Sequence, residues 1–305
     1  MVTVETIIFM SAQSLLSFLA LVQNIYILVV NCIDGRAKGN VKPTDLLMVG
    51  ISACNVLSEL LKFPWSIVYK LELCDIVGMV FHKVVVFFGM SMSTFNFWLT
   101  AWLCLVYFVK IVHKTNGPIH WLRKHLPSRV PQLIIGSLIL NAALGVTMEV
   151  DTRVKVLDNV TMNDTTLCNK YVLPAGRVCT IIYAVFGCFL PFLLMVTSSV
   201  SLVKSLCQHA HRMEHKSSES GTGNSSKHIR VARAILIHTF LFSSGVIMMI
   251  VLIFVSSEGN WLVMLIFGSS IYAGSSALLL IITTTKLKKR CIEHHCCCCM
   301  SQPDS

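Results

Sequence analysis

The chain has 305 residues, of which 54% are hydrophobic and 13% charged, a net charge of +10 and a mean hydropathy of +0.71. Soluble globular chains carry about 25% charged residues, so this composition excludes a water-soluble fold and makes a bilayer the solvent. The basic excess lies in short clusters at the ends of apolar runs, not on one continuous surface with aromatic platforms, which excludes nucleic acid as the partner it serves.

A helix crosses hydrocarbon about 30 Å thick with about 20 residues. Seven apolar runs of that order lie at about 7 to 33, 45 to 69, 76 to 110, 131 to 149, 178 to 205, 233 to 257 and 261 to 285. Barrel strands would alternate in ten-residue segments instead of forming solid runs, so the expectation is an all-α, seven-transmembrane helical bundle followed by a tail, 286 to 305. Placing the N-terminus outside puts most of the 25 Lys and Arg residues on the cytoplasmic side and more than half of the 15 acidic residues on the other. The positive-inside bias therefore predicts an extracellular N-terminus and a cytoplasmic C-terminus.

Span one is preceded by Glu5 and by no Lys or Arg, and it exceeds the apolar region of a signal peptide, so it reads as an uncleaved first span. Gln23 and Asn24 place a polar pair in hydrocarbon, which interhelical hydrogen bonding explains. Span two carries Ser52, Asn55, Ser58, Glu59 and Lys62. Glu59 and Lys62 are three apart, share a helix face and neutralise each other; the alternative is a ligand or ion site. Pro64 and Trp65 predict a kink beside a Trp at the outer interface.

Span three ends near Lys110, where the chain turns from apolar to basic. Between spans four and five, Asn159 and Asn163 each begin an N-x-S/T acceptor sequence in the loop assigned outside, and both are expected to carry glycans. Cys74, before span three, and Cys168, in that loop, are the two cysteines in external loops and form a candidate disulfide. The Ser- and Gly-rich loop between spans five and six reads as a mobile hinge. In the tail, Cys291, Cys296, Cys297, Cys298 and Cys299 follow a polybasic patch, the setting of S-palmitoylation. His294 and His295 adjoin the cysteine block, but contiguous ligands lack the separated spacing of a zinc site, so no metal or other cofactor is expected. No hydrolase elbow, P-loop, H-E-x-x-H or dinucleotide pattern occurs, and the chain reads as no enzyme.

The segment from Val106 to Lys124, "VYFVKIVHKTNGPIHWLRK", resembles the end of helix three and the second intracellular loop of the type 2 (bitter) taste receptors, matching at Tyr107, Phe108, Lys110, Ile111, Pro118, Trp121 and Leu122. The end of span five is similar to the same family at Pro191, Phe192, Ser205, Leu206, His209 and Met213. The end of span seven is similar at Lys286, Leu287 and Lys288. The sequence departs from the family pattern at Asn55, where Arg is usual, at Ser276, Ala277 and Thr284 in span seven, and at Gly89, Ser93, Phe242 and Ile266 on the ligand side.

The resemblance implies a multi-pass G-protein-coupled receptor of the plasma membrane. Its agonist would be a small, mostly apolar molecule and its partner a heterotrimeric G protein with a gustducin-like or inhibitory-class α subunit. Candidate ligand contacts are Gly89, which leaves space, Ser93 and Asn96, which offer hydrogen bonds, and Phe242 and Ile266, which give apolar wall; helix packing is the alternative for each. Tyr107, Lys110, Lys114, Lys204, Arg230 and Lys286 would form the coupling surface, although positive-inside topology alone explains their charge. Two other classes are a vomeronasal type 1 pheromone receptor, with the same fold, and a small transporter or channel, suggested by Glu59, Lys62, His82 and Lys83.

Overall fold

A computed structural model of the protein describes residues 4–39, 41–71, 73–112, 118–151, 177–214, 233, 236–247, 260–284 and 286–291. The described residues form a helical membrane bundle. Four long helices come first: α1 (Val4–Lys38), α2 (Pro43–Lys70), α3 (Cys74–Ile111) and α4 (Pro118–Asp151). Span five is built from α5 (Arg177–Tyr183), a π-helical turn (Ala184–Phe189) and α6 (Leu190–Glu214). The described part of span six is helical over Leu236–Ile247, here α7. Span seven is α8 (Asn260–Thr283), and a short helix α9 occupies 286–291.

Five of these segments are long and apolar enough to cross a membrane: Ile7–Ala37, Pro43–Val68, Lys83–Ile111, Ile119–Thr147 and Val178–Ser205. Leu236–Ile247 and Phe267–Thr283 are shorter apolar helices in the places of spans six and seven.

Local chemistry explains the helix ends. Gly39, at φ 62°, takes the left-handed conformation that ends a helix and that a side chain would disfavour, so α1 stops at Lys38. Pro43 then opens α2, where its missing N–H costs nothing, and Asp45 in the first turn meets the positive end of the helix dipole. Several helices run beyond the apolar stretches. α4 begins at Pro118, well before residue 131, and carries Pro127 and Pro131 inside it. α2 continues through Pro64. Trp65 packs inside the bundle: it is 3% exposed and its ring lies 6.1 Å from that of Phe81.

α3 is the central helix. It packs against α2, α4, α6 and the π turn, while α1 packs against α2 and α8. Leu99, Ala101, Leu103, Cys104, Val106 and Val109 of α3 are buried at the heart of the core. Small residues set the closest approaches, as they do where helices meet without water to drive them together. A Cβ added at Gly187 would lie 2.7 Å from Thr94 Cγ2, so the π turn sits directly on α3. A Cβ at Gly145 would collide with Ser91 and the Phe87 ring, which fixes α4 on α3 in the same way.

Candidate functional site

Polar side chains from separate spans meet in mid-bundle as a directional chain. Asn96 Nδ2 in α3 donates to Asn55 Oδ1 in α2 at 2.6 Å, and Asn55 Nδ2 donates to Asn24 Oδ1 in α1 at 3.0 Å. Asn24 Nδ2 completes it, donating to the Ala20 carbonyl at 2.8 Å and reaching the Ala273 carbonyl of α8 at 3.5 Å. All three amides are buried. In hydrocarbon, interhelical amide bonds of this kind bind helices together, and Asn24 has the interhelical role its sequence context predicts. Asn96, a candidate ligand contact, is instead 5% exposed and spends its amide donor on Asn55.

Further along α2, Glu59 and Lys62 form the expected pair. Lys62 Nζ lies 2.7 Å from Glu59 Oε1, and Glu59 is completely buried. Serines of α8 complete the shell. Ser270 Oγ donates to Glu59 Oε2 at 2.9 Å, and Lys62 Nζ donates to Ser269 Oγ at 2.9 Å. Gln13 Nε2 of α1 then donates to Ser270 Oγ at 2.9 Å and to Ser17 Oγ at 3.1 Å. The buried ion pair is thereby shared among spans one, two and seven, and both carboxylate oxygens have a partner, which is what makes a buried pair tolerable.

On the other side of α3 an aromatic group joins spans three, five, six and seven. Phe242 is fully buried; its ring stands edge-on to Phe97 at 4.7 Å and parallel to Phe192 at 6.4 Å. Phe97 also meets Tyr272 of α8 edge-on at 6.0 Å. Such contacts add about 0.5 to 1.5 kcal/mol each beyond the area they bury. Two turns earlier on α3, a Cβ at Gly89 would meet nothing within 4 Å. Ser93 Oγ donates to the Gly89 carbonyl at 2.7 Å, so its hydrogen is held by its own helix while its oxygen keeps acceptor capacity.

The π turn links this region to span five. The Leu190 N–H bonds the Val185 carbonyl and Pro191 has no N–H to offer Phe186, and Trp98 Nε1 donates to the Phe186 carbonyl at 3.1 Å. Tyr183, just before the turn, is fully buried and donates to the Met90 carbonyl at 3.2 Å.

At the basic end of the bundle, Tyr107 packs against the core, while Lys110 and Lys204 are exposed. Lys286 is not a free rim cation. Its ammonium lies 3.2 Å from Asp34 Oδ2 and 3.4 Å from Asp45 Oδ2, and it donates to Asn31 Oδ1 at 2.9 Å. Arg290 also pairs with Asp34 at 3.1 Å, and Tyr26 donates to the Leu287 carbonyl at 2.8 Å, so α9 is tied to α1 and α2. Asp34 and Asp45 were the overlooked signal: two acids on the side where cations predominate.

Lys114, Arg230, Asn159, Asn163, Cys168 and Cys296 to Cys299 lie outside the described residues, as do the side chains of Cys74 and Ile266. Cys291 is half-buried on α9 as a free thiol.

The family model for the taste receptor protein (TAS2R) matches residues 1–299. Taste receptor type 2 member 41 of Rattus norvegicus is 22% identical over 273 residues, 86% of each chain. Its counterpart in Mus musculus is 22% identical over 268 residues, 84% of each chain. Taste receptor type 2 member 2 of Homo sapiens is 23% identical over 239 residues, 78% of this chain and 77% of that one. The match extends over almost the whole length and falls on an all-helical bundle of apolar spans, so the chain belongs to the taste receptor protein (TAS2R) family, a family of membrane receptors and not of enzymes.

Proposed function

We propose that this protein is a G-protein-coupled receptor of the plasma membrane for small, mostly apolar bitter-type chemicals, with its N-terminus outside and its basic end in the cytoplasm. The observation that carries the reading is the family match across residues 1–299. The aromatic group around Phe242 supports it, because it joins the four spans that a ligand would have to move.

The agonist enters from the outer side and contacts Gly89, Ser93, Phe242 and Ile266. Gly89 offers space and the Ser93 oxygen accepts a hydrogen bond; the two apolar residues supply contact area. Asn96 acts from behind this wall, since its amide already holds Asn55. A ligand shifts a receptor only if it binds one arrangement of the bundle more tightly than the other. Moving Phe242 against Phe97 changes how span six meets span three, which opens the cytoplasmic side. Tyr107, Lys110, Lys114, Lys204 and Arg230 then meet the G protein, and Lys286 contributes from within by holding α9 against Asp34 and Asp45. Asn159 and Asn163 carry glycans, Cys74 and Cys168 pair outside, and the tail cysteines are palmitoylated.

The test is calcium imaging of cells that display the chain at the surface with a promiscuous Gα subunit. They are challenged with a bitter panel and, separately, with pheromone-like steroids. The expected result is a response to bitter compounds; a response confined to the steroids, with good surface display, overturns the reading.

A further inference from the structure

Glu59 and Lys62 hold spans one, two and seven together, yet the two ends of the pair are not equally satisfied. Both Glu59 oxygens are taken, one by Lys62 and one by Ser270. The Lys62 ammonium carries three N–H donors and uses two, on Glu59 Oε1 at 2.7 Å and on Ser269 Oγ at 2.9 Å. Among the described residues the third has no partner, and the Lys62 side chain is 10% exposed where that of Glu59 is 0%. Gln13 Oε1 lacks a partner as well, but it is buried. What the group offers an incoming molecule is therefore a donor and no acceptor.

The pair stands at the level of the proposed agonist contacts. α2 and α3 run antiparallel, meeting at Asn55 and Asn96 and again where Trp65 packs on Phe81. Glu59 and Lys62 fall between those two contacts on α2, and Gly89 and Ser93 fall between them on α3. There a Cβ at Gly89 would meet nothing within 4 Å, so α3 leaves room at this level. On α8, Ser269, which accepts from Lys62, is one turn from Ile266.

The charges select the ligand. Glu59 already neutralises Lys62, so an anionic agonist would add an uncompensated negative charge to a buried group. A cationic agonist would meet a like charge and no available acceptor. A neutral carbonyl or sulfonyl oxygen accepts the third N–H with no charge left over, and hydrogen bonds from a charged donor are among the stronger ones. We infer that Lys62 is a specificity-determining residue of the agonist site, donating its third N–H to an uncharged acceptor oxygen, of the lactone, ketone or sulfonyl kind, on an otherwise apolar agonist. The inference rests on the receptor reading above and narrows its ligand class.

Concentration–response curves in the calcium assay test this, using agonists matched in shape: one with a carbonyl, one with a methylene in its place, and a carboxylate analogue. Lys62→Met alone strands the Glu59 charge, so the donor is removed in Glu59→Gln/Lys62→Met, with surface display matched to the wild type. In the wild type the carbonyl compound should be about ten-fold or more as potent as its methylene partner, and more potent than the carboxylate. In the double variant the carbonyl-to-methylene ratio should fall to about one, while a second pair differing only by a methyl group keeps its ratio. An undiminished carbonyl ratio in the double variant overturns the inference and leaves the receptor reading standing. So does a wild type that favours the carboxylate, or a collapse of both ratios together, which would mark a general distortion of the site. A wild type displayed at the surface but silent to these compounds and to the whole bitter panel overturns the receptor reading, and the inference with it.

Discussion

Changing Lys62 to Met should be among the most damaging single substitutions in the bundle, because of what it leaves behind. Glu59 is completely buried, and its two oxygens are partnered by Lys62 at 2.7 Å and Ser270 at 2.9 Å. Lys62→Met removes the only one of those partners that carries charge. Breaking a buried pair on one side costs about 3 to 5 kcal/mol, which is roughly a hundred- to a thousand-fold or more in the folded-to-unfolded ratio. Glu59→Gln/Lys62→Met has no orphaned charge, and the amide still accepts from Ser270, so the double variant should lie within about 1 to 2 kcal/mol of wild type. The assay is equilibrium unfolding in mixed micelles for the wild type, both single variants and the double variant. A non-additive cycle, with the double variant more stable than Lys62→Met, is expected. A Lys62→Met variant within about 1 kcal/mol of wild type would refute the reasoning, as would a double variant carrying the full sum of the single losses.

Gly187→Ala puts a methyl 2.7 Å from Thr94 and should cost about 1 to 3 kcal/mol by overpacking, whereas Gly136→Ala, with nothing within 4 Å, should be neutral; surface expression and thermal unfolding check both. Asn96→Leu removes the donor to Asn55 and should cost about 1 to 3 kcal/mol, more than Ser93→Ala, whose bond stays within its own helix turn. The same unfolding assay ranks the two. Gly89→Trp should fold, because its first side-chain atom meets open space, and should weaken the response to bulky agonists more than to small ones. Concentration–response curves across a size series measure that.

Hydropathy made the bundle legible because apolar length is dictated by the bilayer and does not depend on partners. The i, i+3 spacing of Glu59 and Lys62 revealed their pair for the same reason: one helix face fixes it. Helix length was less legible. The apolar run beginning near residue 131 marks only part of the fourth helix, whereas Pro118, at the first helical position, opens it. The π turn at Ala184–Phe189 carries no hydropathy signature, and only Gly187 against Thr94 explains why the backbone lies so close there.

In the site, a polar residue facing inward reads the same whether it meets a ligand or another helix. Asn96 reads as an agonist contact from sequence, and its bond to Asn55 gives it an interhelical partner that sequence does not reveal. Lys286 looked like a rim cation because positive-inside reasoning counts charges by side and not by partner. Asp34 and Asp45 come from other helices, and their meeting with Lys286 is a tertiary fact.

Agonist-stimulated guanine-nucleotide exchange, measured with purified receptor in nanodiscs and a purified heterotrimer, tests the receptor assignment most directly. A compound identified in the cell assay should accelerate exchange, and Lys110→Ala should reduce that acceleration while agonist binding is retained. A folded receptor that binds the compound but leaves exchange at the basal rate with every heterotrimer offered would contradict the account.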